Sequence, residues 1–154
     1  MVAAMDVGGN ASSVHAEGRA ARKLMDDARE KLAFWFGCLP QMMVFTSGGT
    51  EANNMALRGA DVQRLLVSGI EHPSVLAAAK SSGKTVEIIP VDSNGVVDLS
   101  SLEKLLAGPK ALVSVMLANN ETGVVQPIAE IAVTVHKAGS LLHVDGVQGV
   151  ANCK

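Results

Sequence analysis

Short, mostly apolar runs alternate with amphipathic segments along this chain, and this alternation constrains the fold more than any other feature. The runs are rich in aliphatic residues and lie at 42–46, 65–70, 85–91, 111–117 and 141–144. Strands that are apolar on both faces are typical of parallel sheets covered by helices on each side. The sequence therefore predicts an α/β fold with a mainly parallel sheet.

The segments between these runs have the spacing of helices. Apolar residues recur at every fourth position through 19–36, which predicts an amphipathic helix. Later helical segments follow residues that favour helix starts: Thr50, Ser74, Asp98 and Pro127.

Polar residues follow four of the five runs directly, at 47–50, 71–72, 119–122 and 145–148. In parallel sheets, ligands bind beyond the carboxyl ends of the strands. We therefore expect these loops to form one ligand site.

The first of these loops is a glycine turn that leads into a helix. Gly48, Gly49 and Thr50 can present free backbone N–H groups and the positive end of the helix dipole to a phosphate. The segment matches neither the nucleotide P-loop nor the dinucleotide fingerprint. An ordinary turn is the alternative interpretation of these residues taken alone.

The other loops supply a carboxylate, an imidazole and amides. Asp145 leaves a buried strand and can face a cationic ligand group, His72 can stack on a ring, and Asn120 and Gln148 can donate hydrogen bonds. Each also has a structural explanation: a cap, a surface histidine or a turn. Together with the phosphate turn, they are the parts that hold pyridoxal phosphate.

Composition excludes several other functions. Thirteen Lys and Arg against fifteen Asp and Glu give a net charge of -2, with no basic block that could follow nucleic acid. The longest apolar stretch, 111–118, is far shorter than the roughly 20 residues of a membrane span. The first ten residues do not resemble a secretion signal. We expect a cytoplasmic protein that binds neither nucleic acid nor membrane.

The cysteines and the remaining histidines do not predict a metal site. Cys38 and Cys153 lie far apart, and neither has a second cysteine at metal-ligand spacing. We expect two free thiols, and we expect structural roles for His15 and His136.

Five segments resemble the cysteine desulfurases of the class V aminotransferase family, in that family's order and spacing. They are GNASSVHAEGRAAR at 9–22, TSGGTEANN at 46–54, EHPSVL at 71–76, LANNETGVVQPIAEI at 117–131 and HVDGVQ at 143–148. The resemblance extends over nearly the whole chain. It implies part of the large domain of the type I pyridoxal-phosphate enzymes, which are usually homodimers. Selenocysteine lyases and other β-lyases of the family are similar and stay as alternatives.

For the cofactor, the resemblance implies that Gly49 and Thr50 hold the phosphate. It also implies that His72 stacks on the pyridine ring and assists proton transfer, which makes it the catalytic candidate. Asn120 and Gln148 would contact the phenolic oxygen, and Asp145 would pair with the pyridinium nitrogen.

For the reaction, the resemblance implies removal of sulfur from L-cysteine to give alanine and an enzyme persulfide. The sulfur would then pass to an iron–sulfur scaffold or another acceptor protein. In the family, a lysine forms the Schiff base about two dozen residues beyond the position of Asp145, and a cysteine still later attacks the sulfur. Lys154 aligns with a different lysine.

We therefore expect a truncated cysteine desulfurase. Residues 1–154 would form a partial cofactor-binding large domain, without the small C-terminal domain. Two further interpretations stay open: a non-catalytic remnant that binds a partner, and a plain phosphate or nucleotide binder.

The 154-residue chain is expected not to turn over cysteine, because neither residue of the family's covalent chemistry can be assigned in it. The measurement is alanine release after addition of pyridoxal phosphate and L-cysteine. A longer chain that includes the family's lysine segment is the positive control. Sustained alanine release by the 154-residue chain would contradict the expectation.

Overall fold

The computed structural model describes residues 2–149, and its chain divides into two compact units between Phe45 and Thr46. The first unit contains α1 (Val2–Met5), α2 (Ala16–Phe36) and a 3₁₀ turn (Pro40–Met42).

Helix α2 confirms the helix predicted over 19–36 and begins three residues earlier. His15 caps it, since its imidazole accepts a hydrogen bond from the Gly18 N–H. Position 18 requires glycine, because a Cβ there would lie 2.5 Å from the Ser13 carbonyl oxygen. The helix ends at Gly37, whose left-handed backbone (φ 65°) is the common helix C-cap geometry.

The strand predicted at 42–46 is wrong. Met42 ends the 3₁₀ turn, and although the backbone of Met43 is extended, 43–46 pair with no strand in residues 2–149. A short apolar run favours extended backbone but does not specify a neighbour, and a strand requires one.

The second unit alternates helices and strands as the sequence predicts. Its elements are α3 (Gly49–Gly59), β1 (Arg64–Ser68), α4 (Pro73–Lys80), β2 (Thr85–Ile89), α5 (Leu99–Leu106), β3 (Leu112–Met116), α6 (Ile128–Lys137) and β4 (Leu141–Asp145).

These four strands form a parallel sheet in the order β2-β1-β3-β4. After β1 the chain moves to one side of that strand, and after β2 it returns to the other side. The connections that leave β1 and β3 therefore diverge, and ligand crevices form at such a switch point.

The central strands β1 and β3 are buried on both faces, and helices pack on each face of the sheet, which confirms the α/β prediction. One face packs with α3 and α4 around a core that includes Leu57, Leu65 and Val75. The other packs with α5 and α6 around Leu66, Val113 and Ile131. Because side chains alternate along a strand, Ser114 and Met116 of β3 lie on the same face as Leu112, which belongs to the α3 and α4 core.

Two of the predicted helix caps are wrong, and one is confirmed. Gly48 rather than Thr50 caps α3, and His72 rather than Ser74 caps α4. Asp98 caps α5 as predicted, with its carboxylate accepting from the N–H groups of Ser100 and Ser101. Pro127 is itself the cap of α6, one residue before the helix.

The turn after β4 requires glycine at position 149. A Cβ there would lie 2.1 Å from Cδ2 and 2.7 Å from Cγ of Leu117, so rotation of the leucine methyl groups cannot remove the overlap. We expect Gly149→Ala to lower the free energy of unfolding by about 1–3 kcal/mol, the usual cost of overpacking.

The matched control is Gly59→Ala at the end of α3, where a Cβ meets nothing within 4 Å. That change should leave stability unaltered or raise it by up to about 1 kcal/mol. Urea denaturation of the two variants and the parent chain measures both values. Equal stabilities for the two variants would show that Leu117 does not oppose a side chain at position 149.

Candidate functional site

A cavity of about 240 Å³ lies at the carboxyl ends of β1, β3 and β4, beside the first turns of α3. Its volume is somewhat below the roughly 300 Å³ at which drug-sized pockets begin, which suits a small cofactor better than a dinucleotide. The lining residues are Gly49, Thr50, Asn53, His72, Ser74, Met116, Ala118, Asn120, Asp145, Val147 and Gln148. All six residues predicted for the site are among them.

One wall of the cavity is the N-terminus of α3. The Gly48 cap has no side chain to accept hydrogen bonds, and the N–H groups of Gly49 and Thr50 meet no acceptor among residues 2–149. A Cβ at Gly49 would lie 3.1 Å from Cγ2 of Val147, so glycine keeps this wall open. The helix thus presents unpaired donors and its positive dipole end to the cavity.

The loop before α3 is held by Glu51. Its carboxylate accepts hydrogen bonds from the N–H (2.6 Å) and the hydroxyl (2.7 Å) of Ser47. These bonds hold the pKa of Glu51 below its ordinary value. The acidic side chain is thereby fixed to the start of the glycine turn.

Asp145 ends β4, and each of its carboxylate oxygens receives one donor. Oδ2 accepts from the amide nitrogen of Asn53 at 2.9 Å, and Oδ1 accepts from the Val147 N–H at 3.1 Å. A carboxylate oxygen has two lone pairs, so each retains capacity for a further donor. The side chain is held in place and can still bind a ligand N–H.

His72 follows β1 and caps α4 through its imidazole. Nδ1 accepts from the Ser74 N–H at 3.1 Å and lies 2.8 Å from the Ser74 hydroxyl oxygen. The Ser74 hydroxyl in turn accepts from Asn53 at 3.0 Å. Hydrogen bonds therefore connect His72 to Asp145 through two side chains.

Asn119 shapes the loop that presents Asn120. Its amide oxygen accepts from the N–H groups of Glu121 and Thr122, and its amide nitrogen donates to the Ile70 carbonyl at 3.0 Å. Asn120 is exposed and lines the cavity. The turn explanation therefore applies to Asn119, whereas Asn120 faces the site.

Glu71 is buried next to the site. Oε1 accepts from the Met116 N–H at 2.6 Å and from the Ser68 hydroxyl at 3.0 Å, while Oε2 is buried and has no hydrogen-bond partner. Burial raises the pKa of Glu71 to about 7; the two hydrogen bonds oppose this rise and the negative charge of Asp145 adds to it. The neutral acid is therefore the main form below neutral pH.

His143 lies on β4 two residues before Asp145. Its Nδ1 is 3.0 Å from the hydroxyl oxygen of Ser114, its register partner on β3. Burial lowers the pKa of His143, and the charge of Asp145 opposes that shift. A partly buried, neutral imidazole is the result at neutral pH.

The residues predicted for the site do not include Asn53, Ser74 or Glu71. Thr50 and Asn53 are three residues apart and so share a face of α3, a spacing that could have identified Asn53 once the helix was placed. Nothing in the sequence distinguished Glu71 from an exposed loop acid.

Several other predictions concern residues away from the cavity. His15 has the structural role expected for it, as the α2 cap. Cys38 is a free thiol whose sulfur lies 3.6 Å from the Met43 sulfur, whereas Cys153 is outside the described residues. Within 2–149, no three His, Cys, Asp or Glu side chains form a group that could hold a metal ion. No helix in that range combines the length and hydropathy needed to cross a bilayer.

The chain matches a known protein family. The model of the family described as aminotransferase class-V matches residues 4–154.

Curated relatives agree with this match. The chain is 42% identical over 153 residues to a cysteine desulfurase of Nostoc sp., which covers 94% of this chain and 38% of the relative. It is 43% identical over 152 residues to a cysteine desulfurase of Cereibacter sphaeroides, covering 92% and 39%. The chain thus spans less than half the length of these relatives.

Solved structures have the same fold. A NifS-like protein from Rickettsia africae superposes with a TM-score of 0.90 at 36% identity, over 99% of this chain and 44% of that one. DndA from Streptomyces lividans superposes with a TM-score of 0.84 at 34% identity, over 99% and 46%.

The buried carboxyl of Glu71 predicts a pH-dependent loss of stability. Its pKa is about 7 in the folded chain and 4.5 ordinarily, so the folded chain binds more protons between these pH values. The free energy of unfolding therefore falls as pH rises through this window and is level above it. Glu71→Gln copies the neutral acid, so its stability relative to the parent should increase by about 3 kcal/mol between pH 4.5 and pH 8.

Urea denaturation at several pH values measures this difference. Glu103→Gln on the exposed surface of α5 is the matched control, and its difference from the parent should stay level. A level difference for Glu71→Gln as well would mean that folding does not raise the pKa of Glu71.

Proposed function

The chain belongs to the aminotransferase class-V family, which depends on pyridoxal phosphate, and from this premise we propose that its cavity binds pyridoxal phosphate as part of a cysteine desulfurase. One observation supports this most strongly: an anion-binding helix start, a carboxylate for a ring nitrogen and an imidazole line the same cavity of about 240 Å³. No dinucleotide motif competes with this interpretation.

The donors at the start of α3 suit the phosphate. The free N–H groups of Gly49 and Thr50, with the Thr50 hydroxyl, can bind its oxygens at the positive end of the helix. Backbone donors need no lysine for this purpose.

Asp145 suits the ring nitrogen. Its carboxylate is oriented by Asn53 and Val147 and keeps free lone pairs, so it can accept a charge-assisted hydrogen bond from a pyridinium N–H. When bound, pyridoxal phosphate supplies an electron-accepting ring for the pair left as the Cα proton of the substrate departs. Asp145 keeps the ring nitrogen protonated.

The remaining residues orient the ring. His72 packs against its face and is our candidate for assisting proton transfer, and Asn120 and Gln148 contact the phenolic oxygen. Residues 2–149 place no lysine in the lining of the cavity. The contacts proposed for the lining residues within 2–149 are therefore noncovalent.

The substrate and partners follow from the relatives and from the family resemblance. The relatives are named as cysteine desulfurases, which supports L-cysteine as the substrate of the whole protein. An iron–sulfur scaffold or another sulfur acceptor, a homodimer and a cytoplasmic location belong to the same proposal. So does the assignment of residues 1–154 to part of the large domain.

Asp145→Asn tests the proposed ring-nitrogen contact. An amide oxygen can still accept from Asn53, but the charge-assisted bond to the cofactor is lost, which should weaken binding by about 10- to 100-fold. Fluorescence titration of the 154-residue chain with pyridoxal phosphate measures the affinity.

Asp61→Asn is the control, because Asp61 is exposed and lies outside the cavity lining. It should bind like the parent. Titration with pyridoxal, which lacks the phosphate, should show weaker binding to every variant. Equal affinity of the Asp145→Asn variant and the parent for pyridoxal phosphate would exclude Asp145 as the partner of the ring nitrogen.

A further inference from the structure

Asn53 is a buried polar side chain whose two amide hydrogens are both used. Only 3% of the residue is exposed, and its Nδ2 donates to Asp145 Oδ2 at 2.9 Å and to Ser74 Oγ at 3.0 Å. It comes one turn after Thr50 on α3 and lines the cavity. Asn53 thus links the helix to both β4 and α4.

The amide can have only one orientation. If it were flipped, its oxygen would lie 2.9 Å from an oxygen of Asp145, and two acceptors repel unless one is protonated. With Asp145 ionised, the nitrogen must face it. The same nitrogen then donates its second hydrogen to Ser74.

This orientation determines the next two hydrogen bonds. Ser74 Oγ accepts from Asn53, so its single proton is free for His72 Nδ1 at 2.8 Å. Nδ1 also accepts from the Ser74 N–H, so a proton on Nδ1 would oppose a backbone proton. In the neutral ring, the proton is therefore on Nε2.

We propose that Asn53 is a positioning residue of the site, which holds the Asp145 carboxylate in place as an acceptor and, through Ser74, fixes the neutral form of His72 with its proton on Nε2. These hydrogen bonds are present in the chain without a ligand. Only their role in holding a cofactor rests on the proposed function. It follows that His72 exchanges protons through Nε2, because Nδ1 is engaged by two donors.

Asn53→Asp is the sharpest test, with Asn54→Asp as its matched control. A carboxylate at 53 cannot donate to Asp145 or to Ser74, and its negative charge repels that of Asp145. The Ser74 hydroxyl then turns toward position 53 and leaves His72. Asn54 donates instead to the Thr50 carbonyl and does not line the cavity. The same substitution there therefore leaves the hydrogen bonds from Asn53 through Ser74 to His72 intact.

The first measurement is the tautomer of His72 in the ligand-free chain. Ring ¹⁵N–¹H correlation spectra at about pH 9, where histidine is neutral, distinguish the two tautomers. A His72→Gln spectrum assigns the signals. We expect only the Nε2–H form in the parent and in Asn54→Asp, and a shifted Nδ1 signal with a detectable Nδ1–H form in Asn53→Asp.

Ser74→Ala provides the same test if Asn53→Asp does not fold. It removes the hydroxyl donor to His72 but retains the bond between Asn53 and Asp145. The Nδ1 signal should shift as in Asn53→Asp. A proton on Nδ1 in the parent chain would overturn the proposal, and so would an unchanged Nδ1 signal in the folded variant.

The second measurement is the affinity for pyridoxal phosphate. Asn53→Asp should bind at least about tenfold more weakly, since Asp145 loses the donor that holds it and is repelled by the new carboxylate, and Asn54→Asp should stay within about twofold. If the parent does not bind pyridoxal phosphate, the proposed function fails, while the spectra still show whether Asn53 and Ser74 fix the tautomer of His72. If the parent and Asn53→Asp bind equally, the positioning role fails and the proposed function stands.

Discussion

The opening between the carboxyl ends of β1 and β3 is the constraint on which the site depends. The backbone pairing of these strands stops at Ser114, and side chains bridge the gap beyond it. Glu71 accepts from the Met116 N–H at 2.6 Å, and Asn119 donates to the Ile70 carbonyl at 3.0 Å. The strand ends are thereby held apart at a fixed separation, and the cavity lies at their tips. A continued backbone ladder would close this space.

Glu71 serves this purpose because it can be buried as a neutral acid. An apolar side chain would leave the Met116 N–H without its acceptor, at a cost of about 1–3 kcal/mol. An ionised carboxylate would place a second negative charge near Asp145 in a buried environment. The neutral acid avoids both penalties. It leaves Asp145 as the acid that supplies the negative charge, which matches a ligand with one cationic ring nitrogen.

The sequence was sufficient for the order of elements in the second unit and for the residues at its strand ends. His72, Asn120 and Asp145 could be brought together because parallel strands end at one edge of a sheet, whatever their packing. Gly49 was grouped with them through the strand predicted at 42–46, which does not form, and it reaches the cavity as the first residue of α3. Asn53 could not, since its role depends on which face of α3 meets β4, and that is a property of packing rather than of pattern. The strand predicted at 42–46 failed for a related reason, because an apolar run does not identify its partner.

Helix α3 connects the two ends of the proposed ligand. Its first residues present the N–H groups that suit a phosphate, and Asn53 on the same helix orients the carboxylate that suits a ring nitrogen. A helix rises 1.5 Å per residue, so Gly49, the first of these donors, and Asn53 are separated along the axis by only about 6 Å. The N–H groups and Asn53 lie on one rigid helix, whereas Asp145 lies at the end of β4. The hydrogen bond from Asn53 therefore fixes the Asp145 carboxylate relative to the anion-binding donors, which sets the spacing that a small ligand with an anionic and a cationic end requires.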